Sequence, residues 1–192
     1  MSETKLASVF SEARTYNGYT DKPVHEDTLR ALYDQLKWGP TAANSCPARF
    51  VFVTTDDAKD RLLDCVNESN VAKLRSAPVT AIVAADTRFY EEMHKLFPSR
   101  DFASAFAGKS DVIADLLARN VPLQGAYMII AARGLGLDCG PMSGFDAEAT
   151  NRAFFPDGRW QVNFLCTMGY GDPESLFPRN PRLSFEDACL IA

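Results

Sequence analysis

The sequence predicts an α+β fold in which apolar helices pack on a small sheet. Three observations carry this. Apolar residues recur at helical spacing in several stretches, most extensively over 111–134. "APVTAIVAA" (77–85) is an unbroken apolar run, suited to a strand covered on both faces. No repeat, linker or low-complexity tract interrupts the 192 residues, which fit one domain spanning 1–192 with a real core.

The elements follow in order. Leu6, Val9, Phe10 and Ala13 share one face of a helix over 3–14. A second helix follows Pro23, with Glu26 and Asp27 in its first turn and Leu29, Leu32, Tyr33 and Leu36 on one face. "RFVFVTT" (49–55) reads as a strand, after which Asp56 caps a helix carrying Leu62, Leu63 and Val66. Residues 86–110 are aromatic-rich and irregular, an excursion from the sheet. The long helix 111–134 stops at Gly134 and Gly136. A short strand begins at Leu137–Cys139, "FDAEATNRAFF" is a short helix, 162–171 is a strand, and "SFEDACLI" is a last helical turn or two.

Composition excludes several classes of function. A content of 46% hydrophobic and 23% charged residues belongs to a globular chain, and a net charge of -5 leaves no electrostatic footprint for nucleic acid. No apolar run approaches the roughly 20 residues of a membrane helix. "MSETKLASVF" has no signal-peptide core, so the expected location is the cytoplasm, with no membrane partner. The five cysteines are odd in number, widely spaced and without CxxC, so they read as small buried hydrophobes instead of a disulfide framework or metal site. With only His25 and His94 present, a His-rich metal centre is excluded.

Chemistry has to be sought elsewhere. "GLGLDCG" (134–140) is not GxGxxG and follows a helix, so helix termination explains its glycines. "CGPMSGFD" (139–146) is a turn whose backbone can approach a flat ligand, or a plain strand-to-helix connection with Ser143 or Asp146 at the next cap. "GPTAANSCP" (39–47) has no charge at all. Pro40 and Pro47 fix its backbone while Thr41, Ala42 and Asn44 offer small hydrogen-bonding groups, a surface for a planar heterocycle or a helix-exit loop. Arg14 and Thr15 can hold a phosphate together, as can Arg179 and Arg182 near the other end of the chain, or all can be surface groups. Asn70 and Lys73 precede the buried strand. In the excursion, Tyr90, His94 and Arg100 are candidate substrate contacts, against a packing role around Phe89, Phe97, Phe102 and Phe106.

Taken in order, these stretches resemble the FMN-dependent nitroreductase family from about residue 10 to residue 187. The family's Arg-Ser-x-Arg pattern before FTxKPV is similar to "RTYN" (14–17) before "YTDKPV". Its PSxxNxQP loop is similar to "PTAANSCP" (40–47), and its LGxDxPxxGFD turn to "LGLDCGPMSGFD" (135–146), with one residue inserted. Its C-terminal basic position corresponds to Arg182. Within the family, "KWGPTAANSCPARFVF", "APVTAIVA", "GLDCGPMSGFD" and "PRLSFEDAC" look like the members that reduce malonic semialdehyde to 3-hydroxypropionate in bacterial pyrimidine degradation.

The resemblance implies a nitroreductase-like α+β fold, with a central mixed or antiparallel sheet flanked by helices, in an intertwined homodimer. It implies FMN as cofactor and NADPH or NADH as reductant. Arg14, Thr15 and Arg182, with Asn17 where many members have a second arginine, would surround the phosphate. Asn70 and Lys73 would face the polar edge of the ring, and Pro141, Met142, Ser143 and Gly144 would bring a backbone N–H to it. Pro40, Thr41, Ala42 and Asn44 would reach the flavin of the partner subunit. Cys46 and Ser143 replace a usual glutamine and a frequent glutamate. Such chemistry needs no protein nucleophile, since the cofactor carries the hydride. The acceptor implied is malonic semialdehyde. The alternatives are a nitroaromatic, quinone or enal, and a flavin-binding dimer without turnover.

Overall fold

The computed structural model describes residues 3–192, with side chains from Leu6 onward. Helix α1 (Glu3–Val9) is shorter than its sequence pattern, because the N–H groups of Phe10 and Glu12 both turn back to the Ala7 carbonyl at 3.2 and 2.9 Å. Of the side chains on its expected face, Val9 is buried while Leu6 and Phe10 are exposed, so little packing supports a longer helix. Arg14 and Thr15 therefore lie in irregular chain beyond the helix, not at its end.

Helix α2 (Glu26–Leu36) buries Leu29, Leu32 and Leu36 as its spacing predicts. Strand β1 (Ala48–Val53) is followed by α3 (Asp56–Leu63). The cap there is Thr55, whose hydroxyl accepts the Ala58 N–H at 3.3 Å, while Asp56 sits one step inside the first turn. Helix α4 (Glu68–Ser76) leads into β2 (Val79–Asp86), buried at every position. The excursion is helical, with a 3-10 turn at Phe89–Glu92, α5 (Met93–Leu96) and α6 (Phe102–Phe106). Phe89, Met93 and Phe106 form its core, with Tyr90, Phe97 and Phe102 packed against them, which is the packing role considered above. Then come α7 (Ser110–Gly134), β3 (Asp138–Met142), α8 (Ala147–Phe154), β4 (Trp160–Gly169) and α9 (Phe185–Ala188). The first half of the expected 139–146 turn is thus an edge strand. Pro141 is tolerated there because an edge position can leave the missing N–H on its open side.

The sheet has the order β1-β2-β4-β3, and every pairing among the described residues is antiparallel. On one face α2 and α7 pack Leu32, Leu36, Val121, Met128 and Ala132 against Ala81, Val83, Cys166 and Met168. On the other face Leu62 of α3 and Leu74 of α4 pack against Val53, Ile82, Ala84 and Leu165. Alternation along β2 decides which side chain faces which layer. No helix among the described residues is long and apolar enough to cross a membrane.

Candidate functional site

Three groups of predicted site residues take definite places. The first lines a cavity of about 480 Å³ walled by Arg14, Thr15 and Asn17 from the irregular segment and by Phe177, Arg179 and Arg182 from the C-terminal tail, with Arg133 from the last turn of α7. Arg14 donates to the Phe177 carbonyl and Arg179 Nη2 to Ala13 O at 2.9 Å. Arg182 Nη1 donates to Asn180 O at 3.0 Å and Arg133 Nη1 to Val9 O at 2.9 Å. These partners are neutral carbonyls. Among the described residues no carboxylate pairs with any of the four guanidiniums, and Arg133 Nε is buried without a partner. Four cations held around one cavity without a carboxylate partner can accommodate an anion.

The second group surrounds Lys73, which is 7% exposed and whose ammonium has no hydrogen-bond partner among the described residues. Burial pushes its pKa down from the ordinary lysine value. A Cβ on Gly140 would sit 2.4 Å from Lys73 Cε and 2.7 Å from Nζ, so a side chain there would displace the end of Lys73 from this position. Asn70 Nδ2 donates to Gly144 O at 2.9 Å, and the Asn67 N–H shares that carbonyl at 3.0 Å. These bonds tie the start of α4 to the turn after β3. Pro141 and Ser143 are exposed there, whereas Met142 is packed in the core and offers a ligand only its backbone.

Segment 14–20 connects the two groups. The Tyr16 ring lies over Gly171, whose N–H donates to Asp138 Oδ2 at 2.9 Å. The Tyr19 hydroxyl is 2.8 Å from Thr167 Oγ1, and burial pushes its pKa far up, so it stays a neutral hydrogen-bonding group. The arginine-lined cavity, Lys73 and the 141–144 turn thus follow one another along β3.

The third group, the 39–47 loop, is elsewhere. A single face of α7 grips it at three points. Tyr127 Oη donates to Pro40 O at 2.9 Å, Asn120 Oδ1 accepts the Ala42 N–H at 2.8 Å, and Gln124 Oε1 accepts the Ala48 N–H at 2.8 Å. Spaced i, i+4 and i+7, these residues stand in one row on the helix. They hold a backbone with positive φ at Ala43 (52°), Asn44 (52°) and Cys46 (41°). A Cβ on Gly39 would lie 2.0 Å from the Tyr127 ring. Asn44 Nδ2 is already committed to Leu96 O at 2.9 Å, and the Cys46 N–H to Thr41 Oγ1 at 3.1 Å. Exposed Ala42 leaves the outer surface of this rigid loop small, while Ala43 packs against the core of the excursion.

One chain does not bring the loop to the Lys73 group. β1 and β3 are opposite edges of the sheet, three strand spacings or about 14 Å apart. The loop enters β1 at Ala48, level with the start of β4, while β3 runs beside its second half. Arg133, Asn120, Gln124 and Tyr127 escaped the sequence reading because each looks like an ordinary residue of a long helix. A charge in the last turn also reads simply as a complement to the helix dipole. Among the described residues no cluster of His, Cys, Asp or Glu could hold a metal. Of the cysteines, Cys65, Cys139 and Cys166 are buried, as expected, but Cys189 is exposed and Cys46 half-buried.

The chemistry present suits a flavin mononucleotide: guanidiniums without a carboxylate partner can meet a phosphate, and the desolvated ammonium beside Gly140 can meet a polar ring edge.

A family model described as "Nitroreductase family" matches residues 11–170. A Rhodopseudomonas palustris protein named "Putative NADH dehydrogenase/NAD(P)H nitroreductase" is 59% identical over 186 residues, covering 97% of this chain and 95% of its own. A crystal structure from Bacillus subtilis, described as a "putative nitroreductase", superposes with a TM-score of 0.90 at 22% identity over the whole of both chains. Another from Exiguobacterium sibiricum, solved in complex with FMN, gives 0.85 at 17% identity over 96% of each chain. At those identities the two structures show the fold.

Proposed function

This chain belongs to the nitroreductase family, and from that premise we propose that it is an FMN-dependent oxidoreductase taking hydride from NADPH or NADH. The observation that carries the reading is the cavity with four guanidiniums and no carboxylate, followed along β3 by the unpartnered ammonium of Lys73. The FMN bound by the Exiguobacterium structure and the name of the Rhodopseudomonas relative support the cofactor and the reductant.

In this reading FMN, when bound, would supply the two-electron chemistry. Arg14, Arg182 and Thr15 hold the phosphate, with Asn17 at the rim. Its Nδ2 donates to Ser175 O at 3.3 Å, which fastens the tail that carries Arg182. Lys73 presents positive charge to the polar edge of the ring, where electron density rises on reduction. The turn at Pro141–Gly144 presents backbone groups to the same ring. Its anchors at Asn67 and Asn70 keep that turn in place.

We assign the 39–47 loop to the flavin of a second copy, so the enzyme is a homodimer. The separation of loop and ring group within one chain supports this. So does an apolar surface that one chain leaves bare: Trp38 is 80% exposed, and Leu183, Phe185, Leu190 and Ile191 of the tail range from 57% to 89%. Light scattering checks the assembly, and a flavin-saturated monomer removes the shared site.

The acceptor we propose is malonic semialdehyde, reduced to 3-hydroxypropionate, on the motifs quoted above. The loop and the 139–145 turn contain no carboxylate to repel an anionic substrate. The name of the Rhodopseudomonas relative favours the second reading, a nitroaromatic acceptor. Freshly purified protein should be yellow or should take up added FMN, and NADPH should bleach it rapidly. Steady-state turnover with malonic semialdehyde, a nitroaromatic and a quinone then decides the acceptor. Aldehyde turnover no better than the nitro compound's removes the first reading, and colourless protein that refuses FMN removes the enzyme.

A further inference from the structure

The anion cavity contains one arginine that its neighbours do not explain. Arg14, Arg179 and Arg182 come from irregular chain; the bonds of Arg14 and Arg179 knit the N-terminal segment and the tail together, and those of Arg182 stay within the tail. Arg133 comes from the rigid end of α7 and lies in the cavity wall. A guanidinium has five N–H donors. Arg133 uses Nη1 on Val9 O at 2.9 Å, its Nε is buried and unpartnered, and no carboxylate meets it among the described residues. The nearby Asp138 carboxylate accepts from the Gly171 N–H at 2.9 Å.

A surface arginine would keep its spare donors in water. A structural arginine would spend them on carbonyls or a carboxylate, as Arg49 does with Cys46 O, Ala48 O and Asp86. Arg133 spends one donor on a carbonyl and leaves Nε buried without a partner, and the cavity it lines is shared with three other cations. We infer that Arg133 is a ligand of the flavin phosphate and makes the site select phosphorylated flavin over riboflavin. This rests on the FMN reading above and extends it to a residue outside the matched motifs. A phosphate monoester carries about two negative charges near neutral pH. Arg133 supplies the cation on the α7 side of the cavity, facing the tail arginines. Its bond to Val9 O also links α1 to the same site.

The test is a pair of fluorescence titrations on flavin-stripped full-length protein, with FMN and with riboflavin, for wild type, Arg133→Gln and Arg133→Lys. Wild type should bind FMN far more tightly than riboflavin. Arg133→Gln should lose roughly 10- to 100-fold in FMN affinity, the range for a hydrogen bond between charged groups, with riboflavin affinity unchanged within about twofold. Arg133→Lys keeps the charge without the fork and should recover part of the loss. Should the Gln variant fail to fold, the Lys variant carries the same comparison, with a smaller loss confined to FMN. FMN and riboflavin weakening together would mean that Arg133 only fastens α1, which overturns the inference, as would unchanged FMN affinity. A wild type that prefers neither flavin overturns the phosphate reading itself and this inference with it.

Discussion

Two arginine clusters sit at opposite ends of β4, and they differ in one respect. At its start, Arg49 and Arg159 converge on the carboxylate of Asp86, 1% exposed, at 2.7 and 3.1 Å, and Arg159 also meets Glu91 at 3.1 Å. Beyond its far end, Arg14, Arg133, Arg179 and Arg182 hold only backbone carbonyls. The first cluster is complete: its charges cancel, and it binds β1, β2 and the start of β4 to the excursion. The second lacks negative charge, which folding did not supply. Residue type does not separate a structural arginine from a binding one; the location of the counter-charge does.

The sharpest way to break this contrast is Asp86→Ala. Two guanidiniums would lose their shared carboxylate, which should cost about 3 kcal/mol, the lower end for breaking a buried pair because both arginines keep some exposure to water. Urea melts read the loss, while FMN affinity of the folded fraction should stay at the wild-type value. Weakened FMN binding without a shifted melt would erase the distinction.

Arg14→Ala and Arg182→Ala should do the reverse. Each should weaken FMN binding by about 1.5–3 kcal/mol, seen in flavin fluorescence titration. The melt of flavin-free protein should move by no more than about 0.5 kcal/mol. If both variants retain flavin like wild type, the cavity is not the phosphate site.

Lys73 sharpens the comparison because it combines a stability cost with a binding role. Its pKa in the folded state is lowered by burial, so between that value and the unfolded value the unfolded chain binds more protons. Stability of the flavin-free protein should therefore rise as pH climbs through this window below the ordinary lysine pKa. Lys73→Met should remove that rise, make flavin-free protein more stable at neutral pH, and still weaken FMN binding. A variant with the wild-type pH slope would place the buried charge elsewhere.

The smallest effect belongs to the loop. Tyr127→Phe deletes one bond to Pro40 O and should cost about 0.5–1.5 kcal/mol, read by thermal melting. Phosphate-dependent selection of FMN over riboflavin should be untouched, because the loop is assigned to the ring of the partner's flavin, a part that FMN and riboflavin share. A change in that selection would tie the loop to the phosphate and not to the ring alone.

Much of the fold was legible before any tertiary information. The unbroken apolar run of β2, the spacing of α2 and the glycine stop of α7 are local signals that packing then confirmed. The far end of α1 was misjudged, since Phe10 shares the helical spacing yet finds nothing to pack on. The 139–146 segment read as a turn because glycine and proline suggest one, but an edge strand tolerates both. Of the site, Arg14, Thr15, Asn17 and Arg182 do share a cavity, and Asn70, Lys73 and the 141–144 turn do lie together. Arg133 gave no signal, since nothing in its neighbours along the chain says that its guanidinium lacks a partner.

By itself the sequence determined which segments are helices and strands, and which residue types could hold a phosphate and a ring, because those depend on spacing and chemistry within a few residues. Only the tertiary structure decided which arginines are neutralised. Asp86 and Arg159 lie 73 positions apart, and Arg14 meets the Phe177 carbonyl 163 positions away. The field at a charge comes from whatever the fold brings within a few ångströms of it, and that neighbourhood is not written in any local stretch of chain.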